Sequence, residues 1–177
     1  MSIDRIWAGW RTTYMESVTD GDDVALGPDA DGRSLFERIY QSGEPDEVTH
    51  IVWHGERCFA ILNAYPYGSG HLMVLPKRKV PALEELTSAE HAELWDGVRM
   101  AVVAIKAAYH PDGVNVGANL GRGAGAGVPD HLHVHVLPRW VADSNFMTAV
   151  AETRVLPEPL DITWEKLRRA WPEPSAP

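Results

Sequence analysis

Three of the eight histidines fall within five residues, as His131-Leu132-His133-Val134-His135. Side chains alternate faces along a strand, so the three imidazoles share one face and Leu132, Val134 and Val136 turn to the other, the core side. By strand rise the rings stand roughly 6.5–7 Å apart. A plain polar face would be served as well by Ser, Thr or Lys. Two chemistries suit such a row. Imidazole is a common zinc ligand, but no HExxH or Asp-rich partner motif accompanies these three. Alternatively, one neutral imidazole attacks phosphorus and forms a labile phosphoramidate while its neighbours contact phosphate. Asn119-Leu120-Gly121-Arg122-Gly123-Ala124-Gly125-Ala126-Gly127 lies just upstream, three residues before His131. Small residues let successive backbone N–H groups approach an anion. With Arg122 and the imidazoles, that stretch reads as a phosphate-handling site.

The elements that must position these groups are legible in part. Residues 1–33 read as an extension: an aromatic segment (Trp7, Trp10, Tyr14) followed by an acidic Gly/Pro-rich loop. Ser34 is placed to cap a short helix to Gln41, which Gly43 would stop. Residues 48–54 and 57–62 are β-type runs around Gly55-Glu56, a hairpin signal. Residues 63–70 read as a loop, residues 71–75 as a strand, and Lys77-Arg78-Lys79 as a basic cluster. Thr87 and Glu90 have capping-box spacing, and Leu94, Val98, Ala101, Val102, Ile105 and Ala108 recur at helical period, which predicts a helix to Tyr109. Residues 114–120 and 131–137 read as strands, 145–150 as a further strand, and 162–170 as a C-terminal helix. Residues 172–177 are expected to be disordered. Hairpins with one long helix indicate an α+β domain over residues 34–171, with an antiparallel sheet and helices packed on it; regular βαβ alternation is absent.

The chain has 177 residues, 45% apolar and 23% charged, which fits a globular domain and excludes a fibrous or disordered chain. Asp and Glu outnumber Lys and Arg 25 to 16, for a formal charge of -9. Such a chain is a poor general ligand for phosphate backbones, so no nucleic-acid partner is expected, and any phosphate must be met in a local pocket. Cys58 is the single cysteine, which excludes an intrachain disulfide and a cysteine-rich zinc module. No apolar run approaches a membrane span, and the first residues lack a signal-peptide core, so a cytoplasmic location is expected.

At this point the residues resemble the histidine triad (HIT) family. His131-Leu-His133-Val-His135-Val-Leu137 fits its signature, and Asn63-Ala-Tyr-Pro-Tyr-Gly-Ser-Gly70-His71-Leu-Met-Val-Leu-Pro76 resembles its upstream strand block. Both blocks occur in the right order and separation, and the resemblance covers about residues 34 to 150. The Trp-rich start and the Trp140…Asn145-Phe146 continuation are similar to a bacterial branch that includes diadenosine tetraphosphate phosphorylases. The resemblance implies the HIT fold and a catalytic trio of His133, His135 and His131. His133 would be the nucleophile, its Nδ1–H held by a backbone carbonyl so that Nε2 carries the lone pair. His135 and the N–H groups of Gly125, Ala126 and Gly127 would hold phosphate oxygens, and His131 would orient the strand. His71 would lie beside the phosphate or the triad, Asn63 would contact ribose, and Asn119 would bond the phosphate or the loop. For these last three a turn or packing role is the competing reading. Trp140 reads first as a packing residue and second as a contact for a base or phosphate chain.

Two departures accompany the matches. Many bacterial members hold a structural zinc with a Cys-x-x-Cys pair, a later histidine and the first triad histidine. Ser34, Glu37 and Lys79 stand at the first three positions here, so neither a structural zinc nor another cofactor is expected. Four residues before His131, where relatives place Gln or Ser, stands Gly127, which offers only its backbone N–H. The implied function is cleavage of a dinucleoside polyphosphate such as diadenosine tetraphosphate through a nucleotidyl-histidine, with phosphorolysis favoured over hydrolysis. The alternatives are hydrolysis of nucleoside phosphoramidates or adenylates, a nucleotide-binding signalling module with little turnover, and a metal-dependent enzyme. A homodimer or higher homo-oligomer is expected, with the aromatic N-terminus suited to an interface.

Overall fold

The computed structural model describes residues 32–141, 143 and 158–173. The N-terminal extension to residue 31, the strand expected at 145–150, and tail residues 174–177 therefore lie outside the described residues. The elements in chain order are α1 (Leu35–Tyr40), α2 (Asp46–Thr49), β1 (Ile51–His54), β2 (Cys58–Leu62), β3 (Leu72–Pro76), α3 (Ser88–Tyr109), β4 (Gly113–Gly117), β5 (Val134–Arg139) and α4 (Leu160–Ala170). The strands form one antiparallel sheet in the order β1-β2-β3-β5-β4. This is the expected α+β arrangement, with a long helix and a shorter C-terminal one on the sheet.

Local chemistry starts each helix. Ser34 and Glu37 form a reciprocal capping box on α1, and Thr87 and Glu90 form another on α3. Glu90 also takes two hydrogen bonds from Arg78, which holds its carboxyl down at about 2. At the β1–β2 turn Gly55 is required by space: a Cβ there would lie 2.1 Å from Glu93 Oε1 and 2.6 Å from the Trp53 ring. The Glu93 carboxylate is held in that spot by the N–H groups of Arg57 and Cys58.

Some boundaries differ from the sequence reading. Val48 and Thr49 belong to α2, not to a strand. Pro45, Asp46 and Glu47 supply a helix start, and His50 in the left-handed region (φ 58°) turns the chain into β1. β4 ends at Gly117, short of Leu120. The ladder of the histidine strand begins only at Val134, so His131 and His133 precede it.

The inner strands of the sheet are buried on both faces, whereas β4 lies at an exposed edge. One core joins Val52, Ala60, Leu62, Leu72, Val74, Val134 and Val136 to Leu94, Val98, Ala101 and Ile105 of α3 and Leu167 of α4. The other joins Ile51, Phe59, Ile61, Met73 and Leu75 to Phe36 of α1. Strands β2 and β3 are consequently buried at every residue, which explains their unbroken apolar runs.

Candidate active site

Leu132, Val134 and Val136 enter the core under α3, and the histidines take the opposite face, as alternation requires. That face is not an open polar surface. α1 covers it: the Phe36 ring lies 5.4 Å from the His131 ring and 5.5 Å from the His133 ring. His131 is 1% exposed and His133 6%. His135 is half-buried, with its ring 5.0 Å from that of His133 in an edge arrangement. Met73 of β3 sits opposite His135 in the ladder, so the upstream block reaches the triad through β3.

The hydrogen bonds fix which nitrogen of each ring bears the proton. A carbonyl can only accept, so His133 Nδ1–H donates to His131 O (2.8 Å) and its Nε2 keeps the lone pair. The bond expected of this residue is thus present, and its partner is the histidine two residues upstream. His131 Nε2–H donates likewise to Pro76 O (2.8 Å), which leaves Nδ1 to accept from the Ser34 hydroxyl at 2.5 Å. The third ring is set through a chain. Tyr67 N–H donates to His71 Nδ1 (3.0 Å), so His71 carries its proton on Nε2 and donates it to His135 Nδ1 (3.0 Å). His135 therefore presents Nε2–H. Beside a lone pair on His133 stands a donor on His135.

Electrostatics reinforce these assignments. Burial pushes the imidazoles of His131 and His133 below the usual histidine range. Burial, with repulsion from His133 added, brings His135 down to about 4. All three are neutral near pH 7, the state in which a ring nitrogen can act as a nucleophile.

The other expected residues are distributed unevenly around this centre. His71 is 1% exposed, bonded to His135, with the Tyr67 ring 4.6 Å away. Asn63 Oδ1 accepts Tyr65 N–H (2.9 Å), a turn-forming bond within the loop before β3. Asn119 reaches Gly125 O through a long contact of 3.5 Å. The glycine stretch folds into a 3-10 turn at Arg122–Ala124. There Gly125 N–H donates to Arg122 O (2.9 Å) and Ala126 N–H to Gly121 O (3.3 Å), so two of the three donors expected for phosphate are engaged within the loop. Gly127 N–H is not among those bonds. Trp140 packs edge-on against Tyr109 at the end of α3 (6.3 Å), and its backbone N–H donates to the Asp143 carboxylate.

Ser34, Glu37, Lys79 and His131 do converge, but as a hydrogen-bonded cluster. Glu37 accepts Ser34 N–H on one oxygen (3.0 Å) and Lys79 N–H on the other (2.7 Å), while Lys79 Nζ reaches Gly32 O and Asp130. An ammonium and a hydroxyl are poor zinc ligands, and both His131 nitrogens already have partners. These residues do not fit a zinc ion. Sequence reasoning missed Phe36 and Tyr67, whose local sequence carries no chemical signal, and it weighed Ser34 only as a cap and an absent ligand.

Comparison with known proteins agrees with this geometry. A family model described as HIT domain matches residues 44–141. The chain is 40% identical over 169 residues to AP-4-A phosphorylase of Mycobacterium tuberculosis, covering 96% of this chain and 85% of that protein. It is 39% identical over 95 residues to an asymmetrical bis(5'-nucleosyl)-tetraphosphatase of Schizosaccharomyces pombe, 54% of this chain and 52% of that one. Among solved structures, a hypothetical histidine triad nucleotide-binding protein from Sulfolobus tokodaii superposes with a TM-score of 0.62 at 30% identity, over 76% of this chain and 89% of that one. A zinc-bound histidine triad protein from Mycobacterium smegmatis gives 0.64 at 26% identity, over 77% and 91%. With the triad geometry and the family match together, this chain belongs to the HIT family.

Proposed function

We propose that this protein cleaves a dinucleoside polyphosphate, diadenosine tetraphosphate first among them, through a nucleotidyl-histidine on His133. The observation that carries the reading is the pair of fixed tautomers: an unprotonated Nε2 on His133 beside a protonated Nε2 on His135. The His133 lone pair attacks the α-phosphorus, forming the N–P bond as the P–O bond to the departing nucleotide breaks. His135 Nε2–H holds a phosphoryl oxygen as negative charge builds, and Gly127 N–H serves as a backbone donor to the same group. An acceptor oxygen then attacks the same phosphorus and the N–P bond breaks, restoring His133. Similarity over most of the chain to a protein named AP-4-A phosphorylase supports inorganic phosphate as that acceptor, with water second.

His71 serves the site by setting the His135 tautomer. Asn63 would contact ribose, Asn119 would bond the phosphate or the loop, and Trp140 would meet a base or phosphate chain. No structural zinc is needed, because the Ser34–Glu37–Lys79 cluster joins α1 to the triad by hydrogen bonds. The protein works in the cytoplasm as a homodimer or higher assembly. No helix among the described residues is long and apolar enough to cross a membrane.

The test is product analysis of diadenosine tetraphosphate with and without inorganic phosphate. ADP plus ATP formed only with phosphate supports phosphorolysis, and AMP plus ATP assigns water as acceptor. Binding without product would favour a nucleotide-binding module, a reading that the engaged Gly125 and Ala126 N–H groups and the bare Gly127 support. His133→Asn should abolish turnover and spare nucleotide binding. Retained turnover would sink the mechanism.

A further inference from the structure

We infer that Ser34 is a positioning residue for the nucleophile, acting through His131; the inference rests on the reading of His133 given above. Ser34 caps α1, and a cap needs only to accept the Glu37 N–H, which its Oγ does at 3.1 Å. The hydroxyl hydrogen remains, and the side chain is 2% exposed, away from water. It is directed at His131 Nδ1, 2.5 Å away and 97 residues along the chain. The His131 ring is therefore gripped from both ends, by Ser34 at Nδ1 and by the Pro76 carbonyl at Nε2.

That grip has a consequence one residue pair further on. The carbonyl of the gripped residue is the acceptor for His133 Nδ1–H. Glu37 adds a second tie, joining the start of α1 to Lys79 just beyond β3. The adjacent Leu132 N–H bonds Val80 O at 2.7 Å, so the segment bearing both histidines is stitched to the β3 exit. Without the hydroxyl, the buried Nδ1 loses its donor, and the ring is held only by the Pro76 carbonyl at Nε2. The segment shifts, the His131 carbonyl leaves its line with His133, and the His133 proton redistributes onto Nε2. A ring protonated there has no lone pair for phosphorus. Ser34 thus acts on the fraction of enzyme in reactive form and leaves nucleotide contacts alone.

Ser34→Gly separates this role from capping, because glycine is itself a tolerated N-cap and lacks the hydroxyl. The expected result is a fall in kcat of about tenfold, the scale of one lost buried hydrogen bond, with KM within about twofold. Ser34→Thr, which keeps the hydroxyl, should restore kcat to within about threefold of the parent. Nitrogen-15 spectra of histidine-labelled protein report the tautomers directly. The parent should show His131 protonated on Nε2 and His133 on Nδ1, and Ser34→Gly should keep His131 on Nε2 and show His133 mixed. Unchanged kcat and an unchanged His133 tautomer in Ser34→Gly would overturn the inference. If that variant does not fold, the parent spectrum decides, since a proton on His131 Nδ1 is incompatible with the grip. If the parent turns over no dinucleotide, the proposed activity fails, and the spectra still test the grip alone.

Discussion

Replacing His135 with asparagine should flatten the dependence of stability on pH between about pH 7.5 and about pH 5. The imidazole of His135 is held down at about 4 in the folded protein by burial and by His133. In the unfolded chain the same ring titrates near about 6.5. The folded value is depressed, so the unfolded state takes up the proton first and stability falls as pH drops below the unfolded value. The loss is complete once pH passes below the folded value. For these two values the linkage relation gives a loss of about 2 kcal/mol over this pH interval from His135 alone. His131 and His133 are depressed in the same direction and add to the slope in both proteins. Glu90, held at about 2, contributes stability that is lost only at lower pH, as the solution passes from the ordinary carboxylate range toward 2. The interval therefore isolates the histidines from that carboxylate. The assay is urea unfolding at a series of pH values, with midpoints converted through a common slope. His135→Asn should lose about 2 kcal/mol less than the parent across the interval. Parallel stability curves for the two proteins would refute the assignment of a buried, neutral His135.

Three further outcomes follow from the geometry. Phe36→Ala removes a side chain that packs on two triad rings and the second core, and should cost about 3–5 kcal/mol in chemical denaturation. Gly70→Ala places a Cβ at φ +81° and 3.0 Å from both Pro138 and Tyr109. It should destabilise by about 1–2 kcal/mol and, through the neighbouring His71, lower turnover. Purified protein should carry no stoichiometric zinc by elemental analysis and keep its melting temperature in chelator, whereas a drop would show that a metal supports the Ser34–His131 region.

What the sequence displayed was local. The Ser34 cap and the Thr87–Glu90 box each lie within four residues, and both form. The alternation in residues 131–137 put the histidines on one face without any structure. What it hid was long-range. Nothing near Phe36 marks it as the cover of the triad, and the Ser34–His131 bond spans 97 residues. The start of β1 was misplaced because Val48 and Thr49 favour strands locally, while Pro45, Asp46 and a left-handed His50 override that preference. The role of Tyr67 is carried by its backbone N–H, which every residue but proline possesses, so no side-chain pattern could reveal it.

The strand order carries a consequence for biosynthesis. β5 is the last strand in the described chain, yet it lies inside the sheet, between β3 and β4. Among the described residues β4 pairs with β5 alone, so until Val134–Arg139 emerges β4 has no neighbour and β3 keeps an open edge. A nascent chain stalled after the glycine loop would expose the apolar run Leu72–Pro76 as a template for foreign strands. Insertion of β5 closes that edge, gives β4 its neighbour and seats His135 opposite Met73. The same stretch of chain supplies the closing strand and the triad: a chain stopped before it lacks both the neighbour of β3 and His131, His133 and His135.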